Sequence, residues 1–317
     1  MPLPPLPAKA AYITLNNAAK RNALSLAILR SLHAQLSSAL TGPSGEVHVL
    51  PAFRPEILDE LEAHAPQHAW LYDADVYAAA KLPSALVLRS EGPVFSSGHD
   101  LKEMATITRD EVKETFALCA DVMRLIRHSP IPVICGVQGL ATAAGLQLAL
   151  TADYTIAGAS TPLKLPGATI GLPCASPATA VSRRVGNAAT YRMLLTADTV
   201  HAREFRHAID VVDPPAEAVA SGLPDVVADA EAAAFEARVK DVVERVVAFP
   251  GQPTAMGKWA FWTQAGLRGD APGEGGGDGY DEAVGWAGRI MAFLARQADA
   301  REGMQAFLEK RKPEWKT

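Results

Sequence analysis

The chain has 317 residues, 49% of them hydrophobic, and a formal net charge of −5 at pH 7. These values are typical of a soluble globular protein with one large domain or two smaller ones. The sequence contains no long basic run, which argues against nucleic acid as a partner, and no apolar run approaching the ~20 residues of a membrane span.

The predicted elements alternate between strands and helices along the chain. AYITLN (11–16) is a predicted strand, and the following ALSLAILRSLHAQLSSAL has apolar residues at helical spacing. SALVLRS (84–90) is a short buried strand, and RDEVKETFALCADVMRLIRH (109–128) is an amphipathic helix whose end charges complement its dipole. The strand VICGVQG, the apolar helix LQLALTA and the strands DYTIAG and PLKLPG follow. This alternation predicts an α/β fold with crossover connections.

Two segments interrupt the pattern. Residues 41–84 exceed the usual length of a connection inside a compact domain, and they contain the helical stretch PEILDELEAHA. We interpret them as an inserted surface subdomain, with an error in the gene model as the alternative. The glycines and acids of RGDAPGEGGGDGYDE (268–282) predict a flexible loop. The expected division is a core of residues 1–255 carrying this insertion, and a C-terminal helical region of residues 256–317 carrying this loop.

Two turns built from small residues follow predicted strands. FSSGHDL and GLATAAGLQL lie about 45 residues apart, and the second leads directly into a helix. The first N–H groups of a helix have no partner within the helix. Placed side by side, the two turns can direct two backbone N–H groups at one oxygen, which is an oxyanion hole suited to a thioester enolate. Small-residue turns also serve close packing, so spacing alone leaves both interpretations open.

Several motifs, in their order along the chain, resemble the crotonase family of enoyl-CoA hydratases and isomerases. They are KRNALS, GPVFSSGHDLKEM, GVQGLATAAGLQLALTADYTIAG and LPGATIGLP, and the C-terminal AREGMQAFLEKRKPEWK resembles the last helix of that family. FSSGHDLKEM and GLATAAG most resemble the enoyl-CoA hydratase domain-containing protein 3 group. The resemblance implies a spiral of ββα units with a helical C-terminal region. It also implies a homotrimer or hexamer and a bent coenzyme A (CoA) ligand.

The resemblance further implies which residues form the site. The backbone N–H groups of His99 and Ala144 would form the oxyanion hole, although most relatives carry glycine at the second position. CoA would contact KRNALS, the two turns and the last helix through its phosphates, adenine, pantetheine and thioester. The residues at these contacts would be Arg21, Ala23, Leu24, Gly98, Asp100, Leu101, Lys102, Gly145 and Lys310. Each basic residue can equally be a solvated surface charge, and Asp100 can instead cap the turn that follows it.

One departure from the family pattern decides the expected chemistry. Hydratases of this family use two glutamates, and their places are taken here by Gln147 and Gly167. An amide has no useful pKa for proton transfer, and glycine has no side chain. Each positioned acid–base group contributes about 10²–10⁴-fold, so ordinary hydration should be weak or absent while thioester binding remains. Restoring both glutamates is expected to recover hydration only if the pocket has room for them.

Three functions therefore stay open. The first is an acyl-CoA enzyme that needs enolate stabilisation without a base, such as a malonyl-type decarboxylase. The second is a non-catalytic acyl-CoA binding or regulatory protein. The third is a hydratase with a rewired acid–base pair, for which the side chain of His99 is the candidate if it does not simply bond its own loop. All three belong to fatty-acid or acyl-CoA metabolism.

No cofactor is expected other than the CoA thioester itself, which would be substrate or ligand. The sequence shows no cluster of metal ligands, and Cys119, Cys135 and Cys174 lie among apolar neighbours, as buried free thiols do. The resemblance implies a mitochondrial location. The segment MPLPPLPAKAAYITLN lacks both the apolar core of a signal peptide and an Arg-rich transit pattern, so a cytoplasmic location is the alternative.

Overall fold

The computed structural model describes residues 3–266, 284, 285, 288, 292, 295 and 298–314. The strands in this part of the chain are β1 (Ala10–Leu15), β2 (Ala85–Ser90), β3 (Val94–Ser96), β4 (Val133–Val137), β5 (Leu140–Thr142), β6 (Tyr154–Gly158), β7 (Pro162–Lys164), β8 (Thr199–His201) and β9 (Asp210–Val212). They form a five-stranded sheet of order β1-β2-β4-β6-β9 and a four-stranded sheet of order β3-β5-β7-β8.

The described helices surround these two sheets. They are α1 (Leu26–Ala39), α2 (Ile57–Glu62), α3 (Ala69–Tyr72), α4 (Ala74–Ala79), α5 (Leu101–Met104), α6 (Arg109–Arg127), α7 (Ala144–Thr151), α8 (Ala175–Val185), α9 (Asn187–Thr196), α10 (Ala216–Ala220), α11 (Pro224–Val247), α12 (Gly251–Gly266) and α13 (Ala298–Glu309). In the part of the chain that the structure describes, no helix combines the length and the apolar character needed to cross a membrane.

The chain repeats one unit three times. The strand pairs β2–β3, β4–β5 and β6–β7 each place one strand in each sheet, and helical segments follow every pair. All pairings in the five-stranded sheet are parallel. Parallel strands need crossover connections, and the helices provide them. The α/β fold expected from the sequence is confirmed, and the repeat matches the expected spiral of ββα units.

The five-stranded sheet is buried on both faces. Every residue of β2 is buried, and successive residues point in opposite directions. Leu86 and Leu88 join the main core with α1 and α6, while Ala85 and Val87 pack against α11 on the other face. This double burial explains why the strand has a continuous apolar pattern instead of an alternating one.

Capping residues fix where the two long predicted helices begin. The Ser25 side chain accepts a hydrogen bond from the Ile28 amide and starts α1. Thr108 and Glu111 form a reciprocal capping box at the start of α6. The observed helices begin and end within three residues of the predicted ones.

Residues 41–84, the predicted insertion, share a small core with α12. Leu50, Phe53, Leu61, Trp70 and Leu71 pack with Ala255 and Trp259 of α12 in one buried cluster. The Trp259 indole donates to the Ala52 carbonyl at 3.1 Å, and the Leu50 amide donates to the His128 carbonyl at 2.7 Å. The predicted helical stretch is observed as α2. The segment therefore contacts α12 through packing and a hydrogen bond, and a second hydrogen bond joins it to the end of α6.

The last helix contacts the body of the protein closely. A Cβ on Gly303 would overlap the Ile170 carbonyl. Met304 is buried in a cluster with Phe116 and Leu172, whereas Phe307 is 58% exposed. Part of the apolar surface of this helix therefore packs within the chain itself. The predicted loop 268–282 lies outside the described residues.

Truncating the buried contact of the insertion should be costly. Leu71 is fully buried in the cluster with α12, so Leu71→Ala is expected to lower the free energy of unfolding by about 2–5 kcal/mol. Leu58, on α2, is 50% exposed, and Leu58→Ala should stay within about 0.5 kcal/mol of the wild type. Urea unfolding measures both variants. If Leu71→Ala lowered the free energy of unfolding no more than Leu58→Ala does, the cluster would contribute nothing to stability.

Candidate functional site

The two small-residue turns lie side by side. β3 and β5 are parallel neighbours, so the turns after their carboxyl ends meet at one edge of the sheet. A Cβ placed on Gly98 would lie 2.9 Å from the Ala143 Cβ and 3.6 Å from the Ala144 nitrogen. Gly98 has a φ of 82°, which favours glycine. Residues about 45 positions apart in the sequence therefore form a single cradle.

Two backbone amides at this cradle have no acceptor among the described residues. In the part of the chain that the structure describes, the amides of His99 and Ala144 donate to no other backbone group or side chain. Ala144 is the first residue of α7, where a helix has no internal acceptor. Ala143 before it has a φ of 50° and a ψ of −124°, an unusual conformation for alanine that occurs at functional sites.

The start of α7 is pressed against β3. A Cβ on Gly145 would lie 2.5 Å from the Ser96 Cβ, so no larger residue fits there without movement. The small residues of GLATAAG allow this close approach. It brings the positive end of α7 to the cradle, where a developing negative charge is stabilised.

The KRNALS segment is bonded to the first turn. The Leu24 amide donates to the Gly98 carbonyl at 2.8 Å, and the Ser97 amide donates to the Arg21 carbonyl at 3.0 Å. The buried Asn22 side chain donates to the Glu91 and Val94 carbonyls, each at 2.8 Å. Sequence reasoning missed the positioning role of Asn22. Its signal in the sequence was a polar residue directly before the apolar start of the predicted helix.

The charged residues predicted at the CoA cleft have different environments. Arg21 and Lys102 are exposed, and so is Lys310 just after α13. Asp100 is 8% exposed, and its carboxylate accepts from the Lys102 and Glu103 amides at 3.1 Å each. Asp100 also lies 3.5 Å from the Lys20 ammonium. Its carboxylate is therefore engaged as the cap of α5, the second of the two roles considered for it.

The apolar residues predicted at the cleft differ in their exposure. Ala23 is 6% exposed and Leu24 is fully buried, whereas Leu101 is partly exposed. Leu24 pairs with His99 in a parallel bridge. The structure thus brings the KRNALS segment and the first turn together.

The His99 side chain bonds its own surroundings. Its Nδ1 lies 3.3 Å from the Leu24 carbonyl, which can only accept, so Nδ1 carries the proton. The ring packs edge-on against Phe116 at 4.8 Å between centroids. Burial lowers the pKa of His99 to about 4. The imidazole is therefore neutral at pH 7. It is not the doubly protonated imidazolium that acts as a general acid.

Gln147 is held in a closed network of neutral groups. It is fully buried in α7, and its Oε1 accepts from the Ser176 hydroxyl at 3.3 Å. Its Nε2 donates to the Thr179 hydroxyl at 3.4 Å, and that hydroxyl donates to the Ser176 carbonyl at 2.7 Å. Both ends of the amide are satisfied, so the network needs no charge at this position.

Gly167 has no room for a side chain. A Cβ there would overlap the Leu172 carbonyl and lie 2.8 Å from the Cys174 sulfur. The Gly167 amide donates to that sulfur at 3.3 Å. Burial raises the pKa of the Cys174 thiol to about 11, so it stays protonated. We expected glutamates at both positions to recover hydration only if the pocket has room for them. Gly167 does not have that room.

Comparisons with known proteins agree with this geometry. The enoyl-CoA hydratase/isomerase family model matches residues 79–235. The chain is 33% identical over 313 residues to the mitochondrial enoyl-CoA hydratase domain-containing protein 3 of Mus musculus, covering 96% of this chain and 80% of the relative. It is 31% identical to the Homo sapiens protein of the same name over 305 residues, covering 96% of this chain and 79% of the relative.

Solved structures give the same result. The crystal structure of human enoyl coenzyme A hydratase domain-containing protein 3 has a TM-score of 0.59 at 30% identity, covering 96% of this chain and 95% of that chain. An enoyl-CoA hydratase from Mycobacterium smegmatis has a TM-score of 0.57 at 30% identity, covering 99% of this chain and 98% of that chain. The crotonase-like fold expected from the motifs is confirmed.

The crowding at Gly167 can be tested with a single methyl group. Gly167→Ala is expected to lower the free energy of unfolding by about 1–3 kcal/mol, because the Cβ meets a backbone carbonyl that cannot rotate away. Gly257, on α12, has no heavy atom within 4 Å of its Cβ position. Gly257→Ala should be neutral or raise stability by up to about 1 kcal/mol. If Gly167→Ala and the wild type have the same free energy of unfolding in urea, the position is not crowded.

Proposed function

The chain belongs to the enoyl-CoA hydratase/isomerase family, the crotonases, and we propose that it binds an acyl-CoA thioester in the cradle between its two turns. One observation carries the proposal: the amides of His99 and Ala144 have no acceptor and belong to turns in direct contact. Two amides aimed at one carbonyl oxygen stabilise the negative charge of an enolate.

The site is proposed to polarise the thioester without adding water efficiently. The positions of the two hydratase glutamates hold Gln147, tied into a neutral network, and Gly167, which has no room for a side chain. His99 is neutral, and its protonated nitrogen faces the Leu24 carbonyl. None of these three residues supplies the carboxylate pair on which ordinary hydration in this family depends.

An apolar region next to the cradle supports an acyl ligand. Phe116, which contacts His99, belongs to a buried cluster with Met104 and Met304. Met104 and Met304 also line a cavity of about 600 Å³ between α5, the start of α6 and α13. Flexible thioether side chains adapt to ligands of different shape. The rest of the lining includes the charged side chains of Arg109, Arg301 and Glu302, so only the methionine side of the cavity suits a hydrocarbon chain whose thioester lies at the two amides.

Decarboxylation of a malonyl-type thioester is the second candidate. Loss of CO₂ leaves its electron pair on Cα and generates the enolate, so no base is needed. The observation that favours it is the neutral network of Gln147, Ser176 and Thr179, because two glutamates there would repel a substrate carboxylate. The enolate would then take a proton from water.

Assembly is proposed from the family and one exposed surface, and location from the names of relatives. Crotonases are often trimers or hexamers, and α9 presents Tyr191 and Leu195, which are 62% and 65% exposed and four residues apart on one helix face. A mitochondrial location is supported by the names of the vertebrate relatives.

The binding proposal is tested by calorimetry with acetyl-CoA and a longer acyl-CoA. Both should bind, and Gly98→Ala should weaken binding at least about tenfold, because its Cβ pushes against Ala143 in the second turn. Gly45 is the matched control, since its φ is 83° but no atom lies within 4 Å of its Cβ position. Gly45→Ala should therefore show the same backbone strain with unchanged binding. No binding at millimolar ligand would refute the proposal.

A panel of thioesters then separates the candidate reactions. Hydration of crotonyl-CoA by the wild type should be several orders of magnitude slower than about 10 s⁻¹, a typical enzyme turnover. Turnover at about that rate would reveal a substitute acid–base group. Release of CO₂ from malonyl-type esters would support the second candidate, and binding without any turnover would support a non-catalytic role.

Oligomer formation is tested by light scattering. The wild type should be a trimer or hexamer at micromolar concentration, and Leu195→Lys should shift it towards smaller species, because the charge would be desolvated in an interface. Val219 is 54% exposed on α10. Val219→Lys serves as the control and should leave the assembly unchanged. A monomeric wild type would contradict the prediction.

A further inference from the structure

The cavity between α5, the start of α6 and α13 has an apolar side and a charged side. Its volume of about 600 Å³ is within the range of small-molecule sites. Met104 and Met304 form the apolar side. Phe116 belongs to the same buried cluster, and its ring contacts that of His99. Phe116 therefore links the apolar side of the cavity to the first oxyanion turn.

Two arginines form the charged side. Arg109 and Arg301 line the cavity and are exposed, and in the part of the chain that the structure describes neither guanidinium forms a hydrogen bond or an ion pair. Arg109 is the first residue of α6, where a positive charge opposes the helix dipole. The stability of α6 therefore does not explain why an arginine stands there. Both guanidinium groups are available to a ligand.

The acids adjacent to these arginines in the sequence are already paired. Glu302, which also lines the cavity, accepts from both terminal nitrogens of Arg311 at 2.6 and 3.0 Å and from the Glu314 amide at 2.8 Å. The bonds from Arg311, and next the bond from the Glu314 amide, lower the pKa of Glu302 to about 2. Asp110 lies 3.3 Å from the Lys113 ammonium. These carboxylates are therefore engaged with other cations.

Each helix presents its arginine and an apolar residue on one face. Arg109 and Val112 are three residues apart on α6, and Arg301 and Met304 are three residues apart on α13. Three residues of a helix span about 4.5 Å along its axis. A ligand with an apolar body and an anionic end matches this order. A bare anion would leave the methionine side unused.

We propose that the acyl chain bound by this protein ends in a carboxylate, so that the ligand is a dicarboxylic acyl-CoA thioester. Its methylene groups would lie along the methionine side, and its terminal carboxylate would lie between Arg109 and Arg301. Guanidinium groups form paired hydrogen bonds with carboxylates. This inference rests on the proposed acyl-CoA site and adds the class of acyl chain. The carboxylate held here is several carbons further from the thioester than that of the malonyl-type candidate.

The experiment is calorimetry on the full chain at low ionic strength with matched pairs of thioesters. The pairs are hexanoyl-CoA with adipoyl-CoA, octanoyl-CoA with suberoyl-CoA, and decanoyl-CoA with sebacoyl-CoA. The members of each pair differ only in the terminal carboxylate. In at least one pair, the dicarboxylic member should bind about fivefold more tightly, a modest factor because exposed ion pairs contribute little. High salt should remove the difference, since exposed charges are screened.

Two variants and one control locate the carboxylate. Arg109→Gln and Arg301→Gln should fold, because neither side chain has a partner in the described part of the chain. Each should halve the dicarboxylic preference, to about twofold, and the double variant should remove it, with the affinity for the monocarboxylic member unchanged. Arg54 is likewise exposed and without a side-chain partner among the described residues, and it lies outside the cavity lining. Arg54→Gln should keep the full preference.

The outcomes separate this inference from the proposed function. Binding of the monocarboxylic thioesters without tighter binding of any dicarboxylic member would overturn the inference and leave the acyl-CoA site standing. Equal weakening of both members by the arginine variants would show that the arginines bind the CoA moiety, and would also overturn it. Absence of binding by every thioester at millimolar concentration would refute the proposed function and the inference together. The wild-type comparison decides the matter even if a variant fails to fold.

Discussion

The parallel pairing of β3 with β5 is the constraint on which the candidate site depends. It aligns the carboxyl ends of two strands that belong to successive ββα units, and so it brings their turns into contact. That contact is possible only because Gly98 and Gly145 have no side chains, since a Cβ on either would meet the facing turn or strand. The hydrogen bonds of the KRNALS segment then fix the first turn from its other side. The free amides of His99 and Ala144 follow from this arrangement and from no single motif.

The chemistry of the site is set by what surrounds these amides. Gln147, Ser176 and Thr179 satisfy one another, and the space beside Gly167 is filled by the Leu172 carbonyl and the Cys174 thiol. The region is therefore neutral and closely packed, and Gly167 has no space beside it for a carboxylate side chain. A neutral region of this kind would repel a bound carboxylate less than a pair of glutamates would, and these residues hold no carboxylate that could activate water.

Sequence reasoning predicted the elements and the two turns well, because these depend on local patterns. The apolar periodicity of α1 and α6 and the continuous apolar run of β2 read directly as structure. The packing of the insertion on α12 could not be predicted in this way, since it joins Leu71 to Trp259 across most of the chain. The crowding at Gly167 and the positioning role of Asn22 likewise depend on neighbours that only the folded chain brings together. The sequence predicted that position 167 lacks the carboxylate of a hydratase, and it could not show how closely the Leu172 carbonyl and the Cys174 thiol pack there.

The packing at Gly167 also limits how the chain could be engineered. Any side chain introduced at this position meets the Leu172 carbonyl and the Cys174 sulfur. A library of variants designed to obtain a new activity would therefore gain little from varying residue 167 alone. The Leu172–Cys174 segment would have to be varied at the same time, because it supplies both of the groups that fill the space.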